Sequence, residues 1–265
     1  MEQQLTTQEY LIHIDKHPKS IYVLHEKLER RFPVHQHTKG QLTYVEGGIA
    51  FVHLRLASLV IPARHYVWIP KGTEHFLQIG HTATAIRTIY FNEDAQTDEF
   101  YNRTGIYPVN NLLHEMIIYT EKFNDVINPR SKSFVFLTAI KDLLPQLNTP
   151  NLPIALPTTQ NQRLRPVLQY LNAHIAQAHN LSTVSTAFGL SERTLSRLFQ
   201  ATLSISFIQY LRQLRVVKAV EMMLQTDLTL SQIAYATGYQ SISAFSNVFF
   251  QITKVRPSAF AALVR

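Results

Sequence analysis

The residues whose chemistry stands out in this sequence are three histidines in its first third. His35 and His37 are two positions apart, so on a β-strand their side chains point to the same face. Gln41 follows four residues after His37, and His75 comes after a turn-like stretch at 70–74. Three imidazoles and a side-chain oxygen on adjacent strands could hold Zn²⁺, Ni²⁺ or Fe²⁺. The alternative is a histidine-lined pocket in which hydrogen bonds hold the rings.

Strands must position these histidines, and the surrounding sequence predicts them. Residues 20–92 contain five short runs rich in β-branched and aromatic residues, a composition typical of strands. The runs are 21–24, 42–45, 49–54, 66–69 and 86–91. The sequence Glu46-Gly47-Gly48 predicts a hairpin turn, because glycine accepts the positive φ angles that such a turn needs. Short strands at this spacing predict a small β-barrel or sandwich.

From residue 110 onward the pattern becomes helical. Apolar residues at helical spacing predict helices near 112–120 and over 133–147. The segment 148–160 is proline-rich and uncharged, which is typical of a stiff interdomain linker. Another helix is predicted over 163–177, with Pro166 in its first turn. We therefore expect an N-terminal domain over 1–147, a linker over 148–160 and a C-terminal domain over 161–265.

The C-terminal region contains one pattern twice, which indicates two related structural units. Each copy has a small residue, Ser185 or Ala234, where a first helix must pack closely across a second. Glycine follows four positions later, as Gly189 or Gly238, and permits a sharp turn. A serine at 191 or 241 can then cap the second helix. Two helix-turn-helix units are thus predicted, joined by one long helix over 205–225.

Composition and charge restrict the partners. The chain has 265 residues, of which 46% are hydrophobic, and it has no cysteine, so disulfides and thiolate metal sites are excluded. Residues 1–159 carry 15 basic and 15 acidic side chains, whereas residues 160–265 carry 10 and 3. The formal net charge of +7 therefore lies with the repeated motif, where it would attract a polyanion such as DNA. With neither a signal peptide nor an apolar run of ~20 residues, we expect a cytoplasmic protein that does not use a membrane.

The histidine region resembles the two cupin motifs, H-x-H-x3-E-x6-G and P-x-G-x2-H-x3-N. This resemblance implies metal positions at His35, His37, Gln41 and His75. The chain departs from the motifs in three places: Gln41 replaces the usual Glu, Ile79 the usual Asn, and Arg64 the glycine usual six residues before the proline of the second motif. A neutral amide binds a divalent cation less well than a carboxylate, so the first departure weakens the predicted site.

The C-terminal region resembles the AraC family of bacterial transcription regulators over about residues 165–262. The residues that carry the resemblance are Gly189-Leu190-Ser191, Leu195-Ser196-Arg197-Leu198-Phe199, Ser206-Phe207-x-x-Tyr210-Leu211-Arg212-x-x-Arg215, Ile233-Ala234-x-x-x-Gly238-Tyr239, Phe245-Ser246-x-x-Phe249 and Pro257-x-x-Phe260. The family often places a cupin-like sensor before such a domain. The resemblance implies an α+β two-domain fold: an N-terminal cupin-like β-barrel with trailing helices, then an all-α domain with two helix-turn-helix motifs.

The same resemblance implies binding to promoter DNA through two adjacent major grooves. The implied contacts on the first recognition helix are Glu192, Arg193, Ser196, Arg197 and Gln200. Those of the second unit are Ile242, Ser243, Ser246, Asn247 and Lys254. Arg212 and Arg215, like Lys254, are expected to meet phosphates or acidic side chains. Ser204 and Lys254 stand where the family usually has glycine, and Asn247 where it often has arginine.

The resemblance further implies a regulator, not an enzyme, that forms a homodimer and responds to a small-molecule effector or a metal. RNA polymerase is a further possible partner. Two alternatives remain open from the residues. One is a cupin-type metalloenzyme with an appended helical domain, and the other is a DNA-bound scaffold whose barrel only dimerises. An enzyme would leave the doubled motif and its positive charge without a role.

Overall fold

The computed structural model describes residues 7–26, 33–79, 85–92, 98–147, 151–152, 154–159 and 161–264. The chain divides into two compact units. The β-rich unit comprises Met1–Leu54 and Ile61–Leu152, and the helical unit comprises Arg55–Val60 and Pro153–Arg265. A β-rich N-terminal part and a helical C-terminal part are the two-domain α+β fold predicted from the sequence.

The first elements in chain order belong mainly to the β-rich unit. They are α1 (Thr7–Lys16), β1 (Ile21–Glu26), β2 (Gly40–Val45), β3 (Ile49–Leu54), β4 (Ala57–Pro62), β5 (His65–Ile69), β6 (His75–Ile79), β7 (Ile86–Phe91), β8 (Gly105–Pro108), α2 (Asn111–Tyr119), β9 (Asp125–Ile127) and α3 (Lys132–Gln146). Short 3₁₀ turns cover Glu99–Asn102 and Thr120–Lys122.

A six-stranded antiparallel sheet in the order β8-β5-β2-β7-β1-β9 forms the main layer of the β-rich unit. Its central strands β2, β5 and β7 are buried along their whole length. One face, which includes Leu42, Trp68 and Phe91, packs on buried residues of α2 and α3 such as Leu113 and Ile140. Since side chains alternate along a strand, Gln41 and its neighbours lie on the opposite face.

The turn at Glu46-Gly47-Gly48 is not the hairpin predicted from the sequence. β2 pairs with β5 and β7, whereas β3 pairs with β6 in a separate sheet. The turn therefore carries the chain from one sheet to the other. Gly48 does adopt the positive φ of 70° that the prediction required, but a positive φ is compatible with both connections.

The helical unit contains the remaining elements. They are β10 (Ala155–Pro157), α4 (Arg165–Ala173), α5 (Leu181–Ala187), α6 (Glu192–Leu203), α7 (Phe207–Gln225), α8 (Leu230–Ala236), α9 (Ile242–Thr253) and α10 (Pro257–Val264). Buried apolar residues from α4, α5, α6 and the first half of α7 form one core. Phe245, Phe249 and Phe260 are fully buried and stack edge to face between α9 and α10.

The segment 148–160, predicted as a stiff linker, contains a short strand. Ala155–Pro157 forms β10, which pairs with residues 57–59 of β4, and Leu156 packs against the helical core. Three residues are too few for a side-chain alternation to be visible, so the sequence did not predict this strand. Residues 148–150, 153 and 160 of the segment lie outside the described residues.

Candidate DNA interface and histidine cluster

The first helix-turn-helix consists of α5 and α6, and its local structure follows from its residue types. Asn180 begins α5 in a capping box with Thr183. Ser185 is buried, as expected for the small residue at the helix crossing. Gly189 makes the turn with φ 61°. The side chain of Ser191 then accepts a hydrogen bond from the backbone N–H of Thr194 and caps α6.

The second helix-turn-helix, α8 and α9, repeats this structure. Thr229 begins α8 in a capping box with Gln232. Ala234 is fully buried, and Gly238 makes the turn with φ 83°. Ser241 caps α9 by accepting from the backbone N–H of Ala244. The predicted small, glycine and capping positions are thus confirmed in both units.

Each second helix has one buried and one exposed face. Leu195 and Phe199 of α6, and Phe245 and Phe249 of α9, have no exposed surface. The predicted contact residues lie on the other sides of these helices. Glu192, Arg193, Ser196, Arg197, Gln200, Ile242, Ser243, Asn247 and Lys254 are exposed, and Ser246 is half-buried. All ten side chains are therefore accessible to solvent. Nine lie on the second helix of a unit, and Lys254 directly follows α9.

Ser204 and Lys254 both end their helices in the left-handed conformation, with φ of 59° and 61°. Each backbone N–H bonds to a carbonyl four residues earlier, on Gln200 or Phe250. This conformation costs an L-residue ~1–2 kcal/mol relative to glycine. The two departures from the family pattern therefore leave the left-handed cap in place and add strain to it.

Two arginines have contacts that the sequence analysis did not predict, Arg215 in α7 and Arg256 after α9. Arg215 is half-buried, and its Nη2 donates to the backbone oxygen of Gln177 at 3.1 Å, so its guanidinium contacts the helical unit itself. Arg256 was not predicted as a contact. Its Nη1 lies 3.4 Å from Asn247 Oδ1, and its guanidinium stacks 4.7 Å from the ring centre of Phe250. No sequence pattern marks Arg256, because its approach to Asn247 and Phe250 depends on how the chain folds back after the recognition helix.

The predicted metal ligands form one cluster in the β-rich unit. A ring nitrogen from each of His35, His37 and His75 lies within 4.8 Å of the other two. His35 and His75 exchange backbone hydrogen bonds as an isolated bridge, which brings the loop before β2 beside β6. Burial lowers the pKa of His75 to about 3, and it also lowers the pKa of His35. These two imidazoles are therefore neutral near pH 7.

The backbone selects one tautomer for all three rings. The Nδ1 atoms lie 2.8 Å from Pro33 O, 2.6 Å from Lys39 O and 2.8 Å from Thr73 O, for His35, His37 and His75 respectively. A carbonyl oxygen only accepts, so each Nδ1 carries the proton. In a neutral ring the lone pair is then on Nε2. Metal-binding histidines are commonly oriented by such a bond to the backbone.

Gln41 lies between two of these lone pairs. Its Oε1 is placed 2.8 Å from His37 Nε2 and 2.9 Å from His75 Nε2, while its Nε2 is 2.8 Å from Thr43 Oγ1. Amide oxygen and nitrogen are assigned from their hydrogen bonds. Turned over, the amide donates one hydrogen to each imidazole and accepts from the hydroxyl of Thr43. This orientation pairs every polar atom in the contact, so we assign it to the metal-free protein.

The residues of the cluster also fit a divalent metal. Imidazole nitrogens are ligands that Zn²⁺, Ni²⁺ and Fe²⁺ accept, and the cluster supplies three of them. The Gln41 oxygen, turned back towards the rings, would add a weak fourth ligand. Beside the cluster is a cavity of about 350 Å³ lined by His37 together with Asp15, Gln36, Thr38, Lys71 and Gly72. The cluster is therefore next to a space that a small molecule can enter.

Comparison with known proteins identifies both units. A family model described as an AraC-like ligand binding domain matches residues 18–115. A second, described as a helix-turn-helix domain, matches residues 184–262. The chain belongs to the AraC family. Its predicted membership is thus confirmed, and this AraC-family chain is a DNA-binding transcription regulator with an N-terminal domain of the ligand-binding type.

Among curated relatives of this AraC-family chain is the HTH-type transcriptional regulator NimR of Escherichia coli strain K12. The two are 27% identical over 217 residues, which is 82% of this chain and 77% of NimR. The HTH-type transcriptional activator RhaS of Enterobacter sp. strain 638 is 33% identical over 87 residues. That match covers 33% of this chain and only 31% of RhaS. These relatives are regulators and not enzymes, as predicted.

The chain also has some likeness to solved structures. A crystal form of ToxT from Vibrio cholerae matches 92% of this chain and 98% of its own, with 16% identity and a TM-score of 0.39. The DNA-binding domain of AdpA, solved in complex with a target DNA, matches 38% of this chain and 90% of its own, with 23% identity and a TM-score of 0.37. Among the described residues, none of the helices has the length and apolar composition to cross a membrane.

Proposed function

We propose that this chain regulates transcription by reading a specific promoter sequence through two adjacent major grooves. The observation that carries the proposal is the pair of structurally equivalent recognition helices, α6 and α9, each with a buried apolar face and an exposed polar face. A bacterial regulator of this kind acts in the cytoplasm, where the chromosome is.

The helix between the two units has a length that suits this geometry. α7 has 19 residues, which at 1.5 Å per residue span about 28 Å. Successive major-groove turns on one side of B-DNA are about 34 Å apart. A spacer of this size, together with the recognition helices at its ends, supports contacts one helical turn apart.

The exposed side chains offer chemistry that reads bases. Arg193 and Arg197 can each form a bidentate contact with guanine, the commonest specific pairing in the major groove. On α9, Asn247 can pair with adenine, and Ile242 can touch a thymine methyl group. Lys254 is better suited to a phosphate, because a flexible ammonium at a helix end neutralises charge without reading a base.

The test begins with selection of bound fragments from random DNA by the purified full-length chain. Footprinting on the selected sequence should show two protected regions about one helical turn apart for each subunit. Arg197→Ala should then weaken binding by ~1–3 kcal/mol and relax the preference at one base pair. Equal losses on the selected and a scrambled duplex would contradict base reading by Arg197. No selected sequence at physiological salt would refute the whole proposal.

The β-rich unit is proposed to sense an effector or a metal and to transmit this state to DNA binding. Two features support the proposal: the cavity beside His37, and the cluster of three imidazoles, two of which direct their Nε2 atoms at Gln41. Transmission through a homodimer, with RNA polymerase as the eventual partner, is part of the same proposal. The resulting change in DNA affinity can be no larger than the difference in ligand affinity between the two protein states.

Metal sensing is tested on the full-length chain, loaded with Zn²⁺, Ni²⁺ or Fe²⁺ and then dialysed. Elemental analysis should find bound metal in the wild type and none in His75→Ala, while His53→Ala is the matched control. His53 is a strand histidine that stacks on Phe76 and lies outside the cluster. DNA affinity should change on metal loading only in proteins that retain the metal. If the wild type retains no metal, a small effector in the adjacent cavity becomes the favoured signal.

A further inference from the structure

Arg215 lies in α7, the helix that joins the two helix-turn-helix units. Although the helical unit carries the excess positive charge, this guanidinium is not displayed to solvent like those of Arg193 and Arg197. Burial lowers its pKa, yet arginine remains charged. A positive charge that is partly removed from solvent needs a structural or functional reason.

The guanidinium contacts both halves of the helical unit. On one side, Nη2 donates to the backbone oxygen of Gln177, which lies between α4 and the first helix-turn-helix. On the other side, the guanidinium carbon lies 5.3 Å from the ring centre of Tyr239. Tyr239 is in the turn of the second helix-turn-helix, and its ring packs edge to face on Phe245 of recognition helix α9.

The neighbouring glycine brings these parts into close contact. A Cβ added to Gly238 would lie 2.6 Å from Arg215 Nη2 and 2.7 Å from the backbone oxygen of Ile175. The turn of the second unit therefore packs directly against the chain that leads into the first. At Gly189, the equivalent glycine of the first unit, an added Cβ would meet nothing within 4 Å. The close contact is a property of the second turn alone.

We propose that Arg215 is a positioning residue that fixes the second helix-turn-helix relative to the first and so sets the half-site spacing that the protein accepts. This inference rests on the proposed reading of two grooves. The guanidinium suits the task because it is planar, stacks on an aromatic ring and keeps an N–H free for the carbonyl. Lysine has no plane to stack and would hold the two contacts less firmly.

A rigid connection affects DNA binding in a particular way. When two readers are held at the correct separation, binding of the first greatly raises the local concentration of the second at its half-site. A loosened connection lowers this gain for the correct spacing and lowers the penalty for a wrong spacing. Recognition within each half-site stays the same, because Arg215 does not lie on either recognition helix.

The experiment measures fluorescence anisotropy with the full-length chain and three duplexes. They carry the selected site, the same site with one base pair inserted between its halves, and the site with one half scrambled. For the wild type, we expect the insertion to weaken binding about ten-fold or more. For Arg215→Gln and Arg215→Lys, the ratio between the first two duplexes should fall towards one, while affinity for the half-scrambled duplex stays within about two-fold of wild type.

Control variants separate positioning from loss of charge or fold. Lys218→Gln removes a positive charge from the same helix, where Lys218 pairs with Glu221 at 2.7 Å, and should keep the spacing ratio of the wild type. Tyr239→Phe keeps the stacking ring and should also keep the ratio, whereas Tyr239→Leu should lose it. These two variants test the inference even where Arg215→Gln folds poorly by circular dichroism.

Three outcomes would overturn the inference. An unchanged spacing ratio in Arg215→Gln and Tyr239→Leu would show that the contact does not set the spacing. An equal loss on all three duplexes would show that Arg215 acts through charge or overall stability. A lost ratio in Lys218→Gln would assign the effect to charge on α7. Failure of the wild type to bind any selected site would instead refute the proposed function, so the two failures are distinguishable.

Discussion

Replacing the two turn glycines by alanine gives a matched test of the packing described above. Gly189 and Gly238 occupy equivalent places and both have positive φ, at 61° and 83°. Only Gly238 is in close contact with other atoms. The same substitution therefore adds backbone strain at both sites and steric overlap at one.

The magnitudes follow from these contacts. A left-handed conformation costs alanine ~1–2 kcal/mol relative to glycine, and this is the whole expected effect of Gly189→Ala. Gly238→Ala adds an overlap with the backbone oxygen of Ile175, which cannot move as a side-chain end can. Overpacking of this kind costs a further ~1–3 kcal/mol. We expect Gly238→Ala to lower the free energy of unfolding of the helical unit by ~2–5 kcal/mol in total.

The assay is urea unfolding of the full-length chain followed by two signals. Far-UV circular dichroism reports mainly the helices, whereas the single tryptophan, Trp68, reports the β-rich unit. The dichroism transition should shift more for Gly238→Ala than for Gly189→Ala, and the Trp68 transition should stay in place. Equal shifts for the two variants would refute the reasoning, because they would show that the contact with Ile175 and Arg215 carries no cost.

Three further predictions concern single side chains. Ser204→Gly should raise the free energy of unfolding by ~1–2 kcal/mol in the same titration, since it relieves a left-handed serine, whereas Ser204→Ala should not. Gln41→Glu should retain more Zn²⁺ than the wild type after dialysis, because a carboxylate binds the ion and cannot donate to the imidazoles; equal metal contents would contradict a ligand role for the side chain at position 41. Burial lowers the pKa of His65 to about 4, below its unfolded value of 6.5. The stability that depends on neutral His65 is therefore present above pH 6.5 and lost as pH falls towards 4. The urea midpoint of the Trp68 transition should fall between pH 6.5 and 4, and it should fall less in His65→Phe.

The helix-turn-helix units were predictable because local chemistry alone determines them. Within seven residues, a small residue, a glycine and a capping serine fit a helix crossing, a turn and a helix start. Ser185, Gly189 and Ser191 have these three roles in the structure, as predicted. The strands were harder to predict. β6 and β10 are short, and β10 follows prolines, so their pairing depends on distant strands. The sequence shows no sign of those partners.

The features of the candidate sites also differ in how far the sequence predicts them. Periodicity on a helix predicts which face is exposed, and the ten predicted DNA contacts are accordingly accessible. Arg215 contacts Gln177 O and the Tyr239 ring, and the sequence does not predict these contacts because its pattern does not distinguish an arginine that packs on the protein from one that faces DNA. The four predicted ligands lie together, but the hydrogen bonds of the three histidines to Pro33 O, Lys39 O and Thr73 O form only in the folded chain.

Gln41 also has an evolutionary consequence. Glutamine codons become glutamate codons through one base substitution at the first position. A carboxylate in the place of this amide would replace a hydrogen-bond donor with an anionic ligand, without any change to strand β2. If the proposed metal sensing holds, the affinity of the histidine cluster for a divalent cation can thus be raised or lowered by a single mutational step, without any change in the sequence of the helix-turn-helix units.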